Sequence, residues 1–225
     1  MIAGIRLLLV FCLVSVPAVA KTLDLQDVAV ATAHPVATQA GLEILRQGGN
    51  AFDAAVAVSA TLAVVEPYGS GLGGGGFWLL RRARDGAELM LDGRETAPLA
   101  ASRDMYLDAN GQPLARASQD GALAAAIPGL PAGLVHLSQR YGRLPLRKTL
   151  APAIRAAREG FDVDARYLTL LRDRLPVMQS FPVTAAIFLD QGQAPQTGFR
   201  LKQPDLARTL TQIAEKGHAG FYAGP

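Results

Sequence analysis

The sequence predicts a mixed α/β (α+β) fold, and three observations carry that prediction. Apolar residues recur at helical spacing in several separate segments. Two short apolar runs, Phe77–Leu80 and Glu88–Leu91, flank an Asp85-Gly86 hairpin signal. Glycine and proline breaks separate these segments, and no internal repeat or low-complexity linker interrupts them.

Val28–Ala33 is expected to form a short apolar strand. Pro35 then opens a helix whose apolar face holds Val36, Ala40, Ile44 and Leu45, and Gly48-Gly49 stops it. Asn50 is the expected N-cap of the next helix, with Asp53 in its first turn at the positive end of the helix dipole. From Ala51 to Val65 that helix is small or apolar on every side, which marks it as buried, and Glu66-Pro67 ends it. The two runs above form the hairpin. Residues 99–130 are mostly irregular. Helices are expected over 131–141, 146–159 and 164–174, an apolar stretch over Ala185–Leu189, and a last helix from Pro204 to Gly217.

The 225 residues are 50% hydrophobic and 18% charged, which excludes a disordered chain. The single cysteine, Cys12, excludes a disulfide-built scaffold. A formal charge of +3 is too balanced to signal nucleic acid. Residues 1–20 read as a signal peptide: Arg6 gives a basic start, Leu7–Val16 an apolar run, and Ala18-Val19-Ala20 a small-residue cleavage site. The run is too short to span a ~30 Å hydrocarbon core, so no stable membrane span is expected. A periplasmic or secreted mature chain is expected to begin at Lys21, without cysteine.

Gly71-Leu72-Gly73-Gly74-Gly75-Gly76 matches the G-x-G-x-x-G dinucleotide fingerprint. Its context is wrong, because a helix precedes it and a hairpin follows, so no helix N-terminus faces a pyrophosphate. The plainer reading is that these glycines let the backbone pass close to something bulky. His34, His136 and His218 have no metal-ligand spacing. Ser70 lacks the strand–serine–helix elbow of a hydrolase nucleophile. The basic residues Arg140, Arg143, Arg147, Lys148, Arg155 and Arg158 read as a solvated helix face.

Several spaced motifs together resemble the γ-glutamyltransferase (glutathione hydrolase) family. They are Gly48-Gly49-Asn50-Ala51-Phe52-Asp53-Ala54-Ala55, Gly71–Phe77, Asp92-Gly93-Arg94-Glu95-Thr96-Ala97-Pro98, Pro128-Gly129 with Gly133, Tyr141-Gly142, Ala157-Arg158-Glu159-Gly160-Phe161 and Gly220-Phe221-Tyr222. The resemblance implies an N-terminal-nucleophile hydrolase with an αββα sandwich. It also implies a proenzyme that cleaves itself into two subunits and uses no metal or organic cofactor. A γ-glutamyl group would pass from glutathione or a related compound to water, an amino acid or a peptide.

Arg94 matches the family arginine that holds the α-carboxylate of the γ-glutamyl group, a task suited to a planar guanidinium fork. Glu95 either orients Arg94 or caps a loop. No catalytic residue is assigned. The family's threonine nucleophile is not matched by Thr22, Thr32, Thr209 or Thr211, and such a threonine needs a free α-amine as its base. The expectation is therefore that residues 21–225 are the N-terminal portion of a large subunit. The sandwich would be incomplete, the chain inactive alone, and its partner a small subunit carrying the threonine. Two alternatives share these residues: a cephalosporin-acylase-like relative, and a non-catalytic exported domain that binds γ-glutamyl peptides.

Overall fold

A computed structural model describes residues 28–223. The signal-peptide reading falls outside the described residues. Helix α1 spans Pro35–Arg46. His34 caps it through Nδ1, which accepts a hydrogen bond from the Val36 amide at 3.2 Å. Helix α2 spans Ala51–Val65. Asn50 Oδ1 accepts from the Phe52 and Asp53 amides, and Asp53 reaches back to the Asn50 amide, closing a capping box. Gly41 brings α1 onto α2: a Cβ there would lie 2.9 Å from Val58 and 3.0 Å from Val30.

Val28–Ala33 does not form the expected strand. A strand exists only where a neighbour completes its ladder, and among the described residues none runs beside this segment. Val30 rests on α1 at Gly41 instead, while Ala29, Ala31 and Ala33 are exposed.

The hairpin forms as read. Strand β1, Gly76–Arg82, pairs antiparallel with β2, Ala87–Gly93, in the register Gly76↔Gly93 to Arg82↔Ala87. Gly86, at φ +69°, supplies the left-handed residue of the turn. Trp78 and Leu80 face inward and are buried, while Phe77, Leu79 and Met90 face outward and are exposed. This is the period-two alternation of a sheet with one covered face.

A long irregular segment follows, containing a 3-10 turn at Ala122–Ala124, and leads to α3, Leu130–Tyr141. The single helix expected over 146–159 is two: α4, Leu146–Thr149, and α5, Ala151–Glu159. Pro152 causes the break, since it has no N–H to donate to Lys148 and its ring crowds that carbonyl. Gly160, at φ +89°, ends α5. Strand β3, Phe161–Asp162, pairs with β4, Arg200–Leu201. Between them lie α6 (Ala165–Arg172), α7 (Leu175–Ser180) and α8 (Pro182–Phe188); the apolar stretch from Ala185 belongs to α8. Helix α9, Pro204–Lys216, ends at Gly217 as expected, and α10 spans Ala219–Tyr222.

The core gathers around α2. Val56, Val64, Leu134, Leu137, Leu150, Val163, Leu201, Leu210 and Ile213 are fully buried in one cluster. The fold is α+β: helices on one side, and the β1–β2 hairpin laid over α3 with the Trp78 indole donating to Ser59 Oγ at 3.2 Å. Among the described residues each sheet has two strands.

Candidate functional site

Arg94 is the first residue after β2, so a rigid strand aims it. Its amide donates to Asp92 Oδ1 at 2.9 Å, which fixes the turn. Two glycines press closely on the peptide that carries Arg94. A Cβ on Gly75 would lie 2.4 Å from the Gly93 carbonyl oxygen and 2.8 Å from Arg94 Cα. A Cβ on Gly129 would lie 2.2 Å from the Gly93 oxygen and 2.4 Å from the Arg94 oxygen. The Gly74 carbonyl ties the clasp together, accepting from the Gly129 and Leu130 amides, each at 3.0 Å. Thr96 and Ile127 bond each other in both directions just beyond. Within the polyglycine run it is Gly75 that makes the close approach, and the run opens no helix, in agreement with the rejection of the dinucleotide reading. The neighbour that Gly75 admits is the Gly93–Arg94 backbone, while the Trp78 ring is packed on Gly93 and Gly133, outside the run.

Glu95 holds the guanidinium. Arg94 Nε donates to Glu95 Oε2 at 2.8 Å. The Glu95 side chain is 25% exposed and that of Arg94 60%, so the carboxylate is the seated partner and the guanidinium reaches outward. Glu95's own backbone N–H, then the Arg94 side chain, hold its carboxyl below the usual carboxylate range. The Arg94 guanidinium carbon lies 5.8 Å from the centre of the Phe77 ring, within cation–π range. Because Glu95 takes the Nε edge, the two terminal nitrogens have no side-chain partner among the described residues. They form a free fork of the shape that accepts a carboxylate in two parallel bonds.

Arg94 lines a concavity of about 390 Å³ whose walls include Asp92, Gly129, His136, Gln139 and His218. The structure thus brings His136 and His218 to the Arg94 site, which their sequence spacing did not signal. His34 lies apart, as a helix cap. Among the described residues no group of three His, Cys, Asp or Glu side chains could hold a metal. Ser70 sits in the loop before the glycine run, without an elbow. A cavity of about 450 Å³ lies between Pro67 and α6–α8. There the Tyr167 hydroxyl donates to the Phe188 carbonyl and Arg174 pairs with Asp120.

Sequence reasoning missed Gly75, Gly129 and Tyr222 as parts of this site. Tyr222 Oη donates to the Pro128 carbonyl at 2.6 Å and accepts from the Ala132 amide at 3.2 Å. Both glycines and the tyrosine lie in motifs that carried the family resemblance.

Residues 37–225 match the Gamma-glutamyltranspeptidase family. The chain is 43% identical over 196 residues to the glutathione hydrolase proenzymes of a Pseudomonas species and of Escherichia coli, an alignment covering 87% of this chain and 34% of each relative. It superposes on the Helicobacter pylori gamma-glutamyltranspeptidase crystal structure with a TM-score of 0.83 at 38% identity, covering 86% of this chain and 56% of that one. The cephalosporin acylase of Bacillus halodurans is similar at a TM-score of 0.73 and 34% identity, over 85% of this chain and 36% of that chain. The chain spans about a third of the length of the curated relatives it matches. A glycine clasp that aims one arginine from a strand end, in a chain that matches one family profile over nearly all its described residues, leads to one assignment: the chain belongs to the γ-glutamyltranspeptidase family.

Proposed function

We propose that this chain provides the donor α-carboxylate site of a γ-glutamyltransferase or glutathione hydrolase. In that enzyme Arg94 grips the α-carboxylate of the γ-glutamyl group and Glu95 keeps the guanidinium edge-on to it. The threonine that attacks the γ-amide belongs to a complementary small subunit, with residues 21–225 forming part of the large subunit. The mature chain is exported to the periplasm or beyond after cleavage near Ala20. Among the described residues no helix is long and apolar enough to cross a membrane.

The observation that carries this reading is the free fork of Arg94 at the rim of a concavity, with its backbone immobilised by Gly75 and Gly129. Anchoring the carboxylate fixes where the γ-carbonyl lies, and fixed geometry is what converts binding into rate when a nucleophile is present. Arg94 alone stabilises no transition state, so the chain without that partner subunit binds and does not turn over.

Titration of the full chain with glutathione tests the reading. Arg94→Ala should weaken binding by about 10- to 100-fold, the loss of one partly exposed bidentate pair. Arg94→Lys should recover little of it, because lysine keeps the charge without the fork. Wild-type affinity in Arg94→Ala would refute the assignment.

A further inference from the structure

We infer that Tyr222 is a positioning residue for Arg94, acting through the Pro128-Gly129 turn; the inference rests on Arg94 being the carboxylate site. Helix α3 has no cap of its own, because its N-cap residue is Gly129. Its first-turn donors are satisfied from elsewhere. The Leu130 amide donates to the Gly74 carbonyl, Pro131 has no N–H, and the Ala132 amide donates to Tyr222 Oη. The same oxygen donates to the Pro128 carbonyl, one residue on the other side of Gly129.

One phenol therefore grips the chain on both sides of the glycine that presses on the Gly93–Arg94 peptide. That peptide also has little room for movement toward Gly75. A release of the turn would let Gly129 lift and Arg94 drift, and a guanidinium fork loses bidentate geometry within a fraction of an ångström. The tyrosine ring is held in turn by His218, stacked at 4.3 Å and 24°. Burial pushes the Tyr222 phenol above its usual range, so it stays protonated and keeps its donor role.

The test compares the full chain's affinities for glutathione and for 4-aminobutyryl-cysteinylglycine, the same molecule without its α-carboxylate. The ratio of the two reads the Arg94 contact and cancels losses that affect both ligands alike. Tyr222→Phe keeps the ring and the histidine stack but removes both hydrogen bonds. It should lower the ratio by about five- to tenfold. Added to Arg94→Ala, it should change the ratio no further. A wild-type ratio in Tyr222→Phe, with the preference abolished in Arg94→Ala, would overturn the inference and leave Tyr222 as a helix cap only. A preference that survives in Arg94→Ala would instead overturn the Arg94 reading itself, and the inference with it. Should Tyr222→Phe yield no folded chain, a difluorotyrosine at position 222, ionised at the assay pH, keeps the ring and the acceptor for the Ala132 amide but loses the bond donated to Pro128. Its ratio should fall about threefold, and an unchanged ratio overturns the inference equally.

Discussion

Asp53 offers the sharpest stability prediction. Its carboxylate is fully buried and serves two elements at once. Oδ2 accepts from the Asn50 amide at 2.9 Å, which completes the capping box of α2. Oδ2 also accepts from the Arg143 amide at 2.9 Å, and Oδ1 from the Leu144 amide at 3.3 Å, in the turn between α3 and α4. Gly142 lets this turn close over the carboxylate, since a Cβ there would lie 2.5 Å from Asp53 Oδ1. Asp53→Ala strands three backbone donors. Two strong charge-assisted bonds lost, with their donors left unpaired, cost about 3–5 kcal/mol. Asp53→Asn leaves one acceptor and turns an amide N–H toward a backbone N–H, so about 2 kcal/mol is expected. With a urea m-value of about 2.5 kcal/mol/M, the alanine variant should unfold about 1.5 M earlier than wild type. Urea titration of the full chain by circular dichroism reads the shift. A midpoint within a few tenths of a molar of wild type would show that the carboxylate does not staple α2 to the α3–α4 turn.

Two further predictions concern a cap and the glycine clasp. Burial holds His34 below its ordinary value of 6.5, outweighing the attraction of Asp164 and Glu66, so it is neutral when it caps α1. A depressed folded value means that its contribution is full above 6.5 and is lost as pH falls through the folded value. The unfolding midpoint should therefore drop between pH 7 and 5. His34→Asn, a cap that does not titrate, should show a smaller drop, and identical pH profiles would contradict this. Gly75→Ala should destabilise by about 2–4 kcal/mol and weaken glutathione binding together, because its methyl meets backbone rather than a side chain that could swing away. Wild-type stability and affinity would show that the clasp is loose.

The local devices were legible in the sequence and the long-range ones were not. Asn50 and Asp53 announced a helix start by type and spacing, and Asp85-Gly86 announced a hairpin, because each acts on neighbours a few residues away. The Asp53 contact with Arg143 spans 90 residues and had no local signal. Val28–Ala33 had strand composition, but a strand depends on a partner that composition does not name. The break at Leu150 was readable in principle, since Pro152 withdraws one bond, but the apolar pattern runs through it. Arg94 looks like any surface arginine in isolation, and only the resemblance singled it out. Its mounting depends on Gly75, Gly129 and Tyr222 meeting in space, and no spacing rule brings together residues so far apart along the chain.

Nitrogen-detected NMR of the arginine guanidinium groups, recorded on the full chain with and without glutathione, looks at the contact itself. The terminal nitrogens of Arg94 should shift and their rotation should slow when glutathione is added, and neither should happen with the analogue that lacks the α-carboxylate. Arg94 signals that stay fixed while resonances elsewhere respond to glutathione would place the ligand away from this arginine and contradict the account.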